Sequence, residues 1–275
     1  MTYLVADRLD DALSALAREP HRIVCGATDC YAEPVPGTPG PWLDISRIGA
    51  LRGIRHDGDC VHIGAITSWD DIDTSPRVPR GLREAARGIG SRQIRVQGTV
   101  GGNLCHAAPA ADGVPALLAL QARVQLASAR GLRELPLEQF VLGRRRTALR
   151  SDELLSAVVF DAPGAADTTA FVKCTHREGP ALAVVSAAVR LRWRECGVVA
   201  SAMVAVGAAS EVPCRVRAVE AGLEGADPSE MARRIAASPL PELAPIDDCR
   251  GSSALRLHLA RVAIARACER AGRPA

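Results

Sequence analysis

Apolar positions Leu9, Leu13 and Leu16 recur at helical spacing behind Asp7, a capping residue, and Pro20 ends the pattern before the apolar run Ile23-Val24-Cys25. The opening therefore reads helix, then strand. Residues 26–29 turn the chain, residues 34–41 are an irregular excursion rich in proline and glycine, and residues 42–45 read as another short strand. Residues 51–55 and 60–63 flank Asp57-Gly58, a turn dipeptide that suits a hairpin. Ser68 or Thr67 caps a short helix, residues 82–89 form another, and Pro115 opens a third through Leu117, Leu118 and Leu120. Residues 124–127 and 132–135, joined at Arg130-Gly131, predict a second hairpin, and residues 152–160 a further strand.

The pattern changes after Asp161-Ala162-Pro163-Gly164, which reads as a linker. Two long apolar runs follow, 181–193 and 198–209, separated by Glu195-Cys196-Gly197; they predict antiparallel strands of a second sheet. Helices over 214–222, 228–237 and 252–271 would pack on it, the last through Leu255, Leu259 and Val262. The expected class is α+β, a larger mixed domain followed by a smaller one.

With 275 residues, 48% apolar and 24% charged, the chain can bury two modest cores. Aromatics are only 3%, so alanine, valine and leucine must carry the packing. The net charge of +3 rests on arginines spread along the whole length, which argues against a nucleic-acid surface. No basic segment leads an apolar run at the start, and no run approaches the roughly 18 residues a bilayer requires, so a cytoplasmic location and no membrane span are expected. Nine cysteines without a C-x-x-C pair indicate neither a disulfide framework nor a local zinc or iron–sulfur site. The histidines show no metal-ligand spacing, and Arg144-Arg145-Arg146, an acidic-partner or nucleotide contact by one reading, is better read as a solvated loop.

Two stretches carry candidate chemistry. Val24-Cys25-Gly26-Ala27-Thr28-Asp29 ends a strand in a turn of small residues, where free backbone N–H groups and little side-chain bulk suit a pyrophosphate. Alone, it is equally a strand-terminating turn. Gly98-Thr99-Val100-Gly101-Gly102-Asn103 adds paired glycines, a hydroxyl and an amide, with Asp112 downstream as a carboxylate able to accept from ribose hydroxyls. The two occur about 70 residues apart, without the regular βαβ spacing or G-x-G-x-x-G of a dinucleotide fold.

The run Ser91-Arg92-Gln93-Ile94-Arg95-Val96-Gln97-Gly98-Thr99-Val100-Gly101-Gly102-Asn103, continuing to Asp112, resembles the signature of the FAD subunits of molybdenum hydroxylases. That group includes the medium subunits of carbon monoxide dehydrogenase and the flavin domain of xanthine dehydrogenase. The first loop is similar to the family's A-G-G-T-D-L-L, with Cys25 and Ala27 departing at small-residue positions. Ile63-Gly64-Ala65-Ile66-Thr67, Asp152-Glu153-Leu154-Leu155 and residues 171–188 follow the family's order.

The resemblance implies a two-part FAD-binding domain of the vanillyl-alcohol-oxidase (PCMH) type over 1–163, divided near residue 55, and a small α+β C-terminal domain over 164–275. It further implies that Val24, Cys25, Gly26, Ala27, Thr28, Asp29 and Cys30, with Gly101, Gly102 and Asn103, bind phosphates through backbone groups. Thr99 would help through its hydroxyl, Asp112 would hold a polar part of the cofactor, and Ile89 and Gly90 would border it. Lys173 and residues 181–185 would lie toward the flavin ring. His106 and Tyr31 depart from the family's usual residues, and neither is expected to be catalytic. FAD is the only cofactor implied for this chain; molybdenum cofactor and iron–sulfur clusters belong to partner subunits, with NAD, a quinone or oxygen open as acceptor. Two rivals stand beside this reading: an assembly subunit that has lost FAD, and a stand-alone FAD reductase.

Overall fold

The computed structural model describes residues 3–30 and 40–273. Tyr31 and most of the 34–41 excursion therefore lie outside the described residues. The N-terminal part is a three-stranded parallel sheet, with Trp42–Asp44 between Tyr3–Val5 and Arg22–Val24. The helix Leu9–Arg18 crosses between its first two strands and buries Ala12, Leu13, Ala15 and Leu16. Asp7 does not cap it: Arg8 occupies the N-cap position, without a side-chain hydrogen bond.

A five-stranded antiparallel sheet follows, in the spatial order Ile54–Asp57, Cys60–Gly64, Leu154–Asp161, Arg123–Ser128, Gly131–Pro136. Both expected hairpins are present. Asp57 pairs with Cys60, so the turn centres on Gly58 and Asp59, one residue later than the sequence suggests, and Gly58 takes the positive φ of 56°. Ser68 caps Trp69–Thr74 in a reciprocal box with Asp71, which satisfies two backbone donors at once.

The third sheet is antiparallel, in the order Asp167–Cys174, Val185–Trp193, Val199–Gly207, Cys214–Arg215. The helices Arg217–Leu223, Pro228–Ala237 and Ser253–Ala271 accompany it, and residues from all three join its apolar core. Its first strand was not legible from the pattern, because Asp167, Thr168 and Thr169 break the apolar run before Ala170.

One helix locks the two larger sheets together. Gly113–Ala119 is buried at all seven positions, and its Leu117 shares a core with Phe160 of the second sheet and Phe171, Ala188 and Ala205 of the third. Nearby, the Gly81 N–H donates to Thr169 Oγ1 at 2.9 Å, and a Cβ on Gly81 would stand 3.0 Å from the Ala170 backbone nitrogen. The Phe171 N–H also donates to Glu84 at 2.9 Å. Among the described residues no helix is long and apolar enough to cross a membrane.

Leu117 is fully buried at this junction. Leu117→Ala is expected to cost about 2–5 kcal/mol of unfolding free energy. In urea titrations followed by fluorescence and far-UV circular dichroism, both signals should shift together; separate midpoints would show that the two sheets do not unfold as a unit.

Candidate functional site

The three sheets frame one cleft of about 1690 Å³, larger than the roughly 300–1,000 Å³ of ordinary small-molecule sites. It has room for an elongated ligand. All the residues singled out from the sequence line it: Val24, Cys25, Gly26, Ala27, Thr28, Asp29, Cys30, Ile89, Gly90, Thr99, Gly101, Gly102, Asn103 and Asp112. Lys173, Ala181 and His106 do as well.

The first loop leaves the end of the strand Arg22–Val24. Gly26 rests against the second stretch so closely that a Cβ would fall 1.8 Å from the Gln97 carbonyl oxygen. Only glycine allows this approach. Ala27 then turns with φ of 55°, the left-handed region that costs an L-residue about 1 kcal/mol. Beyond it, the backbone N–H groups of Ala27, Thr28 and Asp29 donate to no described residue.

The second stretch is not a loop. Thr99 caps a helix, Val100–His106, which contains both glycines. Its opening donors are engaged: Val100 to Thr67 O at 3.0 Å, Gly101 to Ala65 O at 2.8 Å, Gly102 to Thr99 Oγ1 at 3.1 Å and Asn103 to Thr99 O at 3.0 Å. Gly101 serves packing, since a Cβ there would lie 2.7 Å from the Ala65 oxygen. The N–H groups that the sequence reading assigned to phosphate are therefore used inside the protein. What remains open is the Thr99 hydroxyl hydrogen and the Asn103 side chain, whose Oδ1 is buried without a partner.

Asp112 is 5% exposed and receives the Lys173 ammonium at 2.6 Å, a link between the first domain and the third sheet. Lys173 also donates to Gly88 O at 3.0 Å. Asp112 Oδ1 is buried and unpartnered. Burial outweighs the lysine beside it and raises the carboxyl to about 6.

Burial likewise pushes the Cys25 thiol to about 11, with Asp44 adding to the effect, and Cys105 to about 12. Neither is a thiolate nucleophile at neutral pH. Among the described residues no group of three or more histidines, cysteines or carboxylates is placed to hold a metal ion.

Several cleft residues either read as solvated in the sequence, as Arg144 and Arg145 do, or are not singled out by it. Arg144 and Arg145 form the tight turn between Val141–Gly143 and Arg146–Thr147 and face the cleft. On the opposite domain Arg256, 2% exposed on the last helix, donates to Val184 O at 2.9 Å, Ala208 O at 2.6 Å and Asp248 at 2.5 Å. Burial alone would raise the Asp248 carboxyl, but hydrogen bonds from Arg250 and Arg256 hold it at about 2. Helical spacing marks Arg256 only as an interruption of an apolar face; two of its three partners lie 48 and 72 residues away along the chain.

A cleft walled by a small-residue loop at the end of a parallel sheet and by a capped helix beside an antiparallel sheet suits an elongated phosphate-bearing cofactor, and comparison with known proteins specifies the class. Residues 1–161 match the family model described as the FAD binding domain in molybdopterin dehydrogenase, and residues 170–271 match the CO dehydrogenase flavoprotein C-terminal domain. The nicotinate dehydrogenase FAD-subunit of Eubacterium barkeri is 34% identical over 75% of this chain and 73% of its own. The xanthine dehydrogenase FAD-binding subunit of Escherichia coli O157:H7 is 30% identical over 94% and 91%. Among solved structures, reconstituted CO dehydrogenase from Oligotropha carboxidovorans superposes with a TM-score of 0.91 at 28% identity, covering 98% of this chain and 97% of the other. Quinoline 2-oxidoreductase from Pseudomonas putida 86 gives 0.88 at 26% identity, over 98% and 96%. The chain therefore belongs to the FAD-binding subunits of the molybdenum hydroxylase family. It is an oxidoreductase subunit with FAD as its cofactor.

The residues present fit that cofactor. The first loop offers open N–H groups, Gly26 leaves no bulk at the junction, and Asn103 and Asp112 each present an orphaned buried oxygen.

Two stability effects follow. Gly26→Ala must part the two stretches and should cost well over 1 kcal/mol, whereas Ala27→Gly relieves the left-handed strain and should stay within about 1 kcal/mol of wild type. Thermal melts of both variants check this. For Asp112, the folded carboxyl keeps its proton up to about 6 while the unfolded one releases it near 3.8. Its contribution is thus complete below the lower value and is lost as pH rises through the window. Stability against pH should carry this falling slope, and Asp112→Asn should remove it.

Proposed function

We propose that this chain carries electrons for a molybdenum-containing hydroxylase, with its cofactor extended along the cleft between the 26–29 loop and the helix capped by Thr99. The carrying observation is that the cleft is lined by a loop whose backbone donors no described residue accepts and by Asn103 and Asp112, each with a buried oxygen lacking a partner, in a chain of this family. FAD, when bound, supplies the electron-carrying chemistry between an iron–sulfur partner subunit and an external acceptor such as NAD, while substrate oxidation belongs to a molybdenum-cofactor subunit.

The chain's own residues bind and orient. Ala27, Thr28 and Asp29 donate N–H groups to the diphosphate; Val24, Cys25, Gly26 and Cys30 shape the loop that aims them. Thr99 donates its hydroxyl, and Asn103 presents its amide. Gly101 and Gly102 give the helix its close seat rather than free donors. Asp112 accepts from a cofactor hydroxyl or ring N–H through Oδ1, and its other oxygen stays with Lys173. Ile89 and Gly90 border the cofactor, and Lys173 with residues 181–185 lies toward the flavin. No residue of this chain is assigned a substrate-oxidising role.

Purified with FAD, the chain should show flavin absorption bands in the visible, and Asn103→Ala should weaken FAD binding about fivefold to tenfold, the worth of one hydrogen bond. Absence of flavin bands after incubation with excess FAD would sink the reading and favour an assembly subunit. Oxidation of NADPH without partner subunits would instead favour a stand-alone reductase.

A further inference from the structure

The carboxylate of Asp29 poses an electrostatic problem for the proposed cofactor. It belongs to the loop whose N–H groups are open, so a diphosphate bound there would lie beside a second anion. Like charges at such range disfavour each other unless a cation intervenes. One side chain able to supply it is the imidazole of His106: its Nδ1 stands 4.0 Å from Asp29 Oδ2, and both residues line the cleft.

His106 is well placed to carry charge. It occupies the last turn of the helix Val100–His106, where the helix dipole favours a cation, and its side chain is 28% exposed. Among the described residues, the charged groups around it come from the first loop, the 143–146 turn and the segment of Glu211, which accepts from the Arg144 N–H at 3.3 Å. Asp29 faces it from the first loop. Arg144 and Arg145 approach on the turn pinned to this helix end by the Arg145 N–H, which donates to Ala107 O at 3.1 Å, and Arg146 follows them. The set carries the carboxylates of Asp29 and Glu211 against several arginines, a rim that stays net positive.

We propose that His106 is a positioning residue for the cofactor diphosphate: protonated, it neutralises Asp29 and holds the first loop in the geometry that receives the phosphates. The inference rests on the FAD reading above. The imidazole is the side chain that changes charge between pH 5 and 8. FAD should therefore bind more tightly at the acid end of that range, and the advantage should fade as pH rises. The contact is partly solvated, so the effect is about threefold to fivefold in Kd.

The test measures FAD Kd by quenching of flavin fluorescence from pH 5.5 to 8.5 for the wild-type chain, His106→Gln, Asp29→Asn and the double variant, with melting temperatures recorded alongside. His106→Gln should bind about threefold to fivefold more weakly than wild type at pH 5.5, with the acid-side gain removed. Asp29→Asn should lose that gain, because the anion that needed neutralising is gone. In the double variant, the histidine substitution should add no further weakening. Wild-type affinity and pH dependence in His106→Gln overturns the proposal. So does a penalty of equal size with and without Asp29, which would mean that His106 acts independently of the loop carboxylate. If the wild-type chain binds no FAD at any pH, the cofactor reading itself fails, an outcome distinct from an unchanged profile in the variants.

Discussion

The cleft depends on one backbone-to-backbone approach, Gly26 against the carbonyl of Gln97. The first loop is carried by a parallel sheet and the second stretch by helices beside an antiparallel sheet, so their relative position is a tertiary matter. Contact without a Cβ brings them together, and Trp69 and Gly101 fix the second side: the Trp69 N–H donates to Gly98 O at 3.0 Å, and Gly101 seats on Ala65. Both glycine sites are thus geometric before they are chemical. The backbone N–H groups that no described residue accepts lie on the first loop.

The second tie is the Lys173–Asp112 pair, which joins the C-terminal sheet to the wall of the cleft. A buried ion pair is weak evidence for stability, because desolvation consumes most of the Coulombic gain. Asp112 shows that cost directly, its carboxyl raised to about 6 in spite of the lysine. The pair makes better sense as a positioning device. It fixes one carboxylate oxygen and leaves the other buried, oriented and without a partner.

Periodicity made most of the architecture legible, because its signals were local. The two hairpins announced themselves through turn residues between apolar runs, and Ser68 was found as a cap. Helix Val100–His106 was missed because paired glycines argue against helix; close packing of Gly101 on Ala65 overrides that propensity. Helix Arg92–Gln97 buries none of its residues, so no apolar face could signal it. The site divided in the same way. Its two motif stretches were readable because each is contiguous, whereas Arg144, Arg145 and Arg256 reach the cleft only through the fold.

Ala27 shows how the site's demands are met locally. At φ of 55° an alanine bears a strain that glycine would not, yet it leaves the unfolded loop with less freedom to lose. The two effects are of similar size, about 1 kcal/mol each, so the substitution is nearly neutral in stability. A Cβ is tolerated at Ala27 because the close contact falls one residue earlier, on Gly26. The two neighbouring positions therefore answer to different constraints: Gly26 to van der Waals exclusion, which admits no side chain, and Ala27 to a backbone angle, which admits a small one at a modest cost.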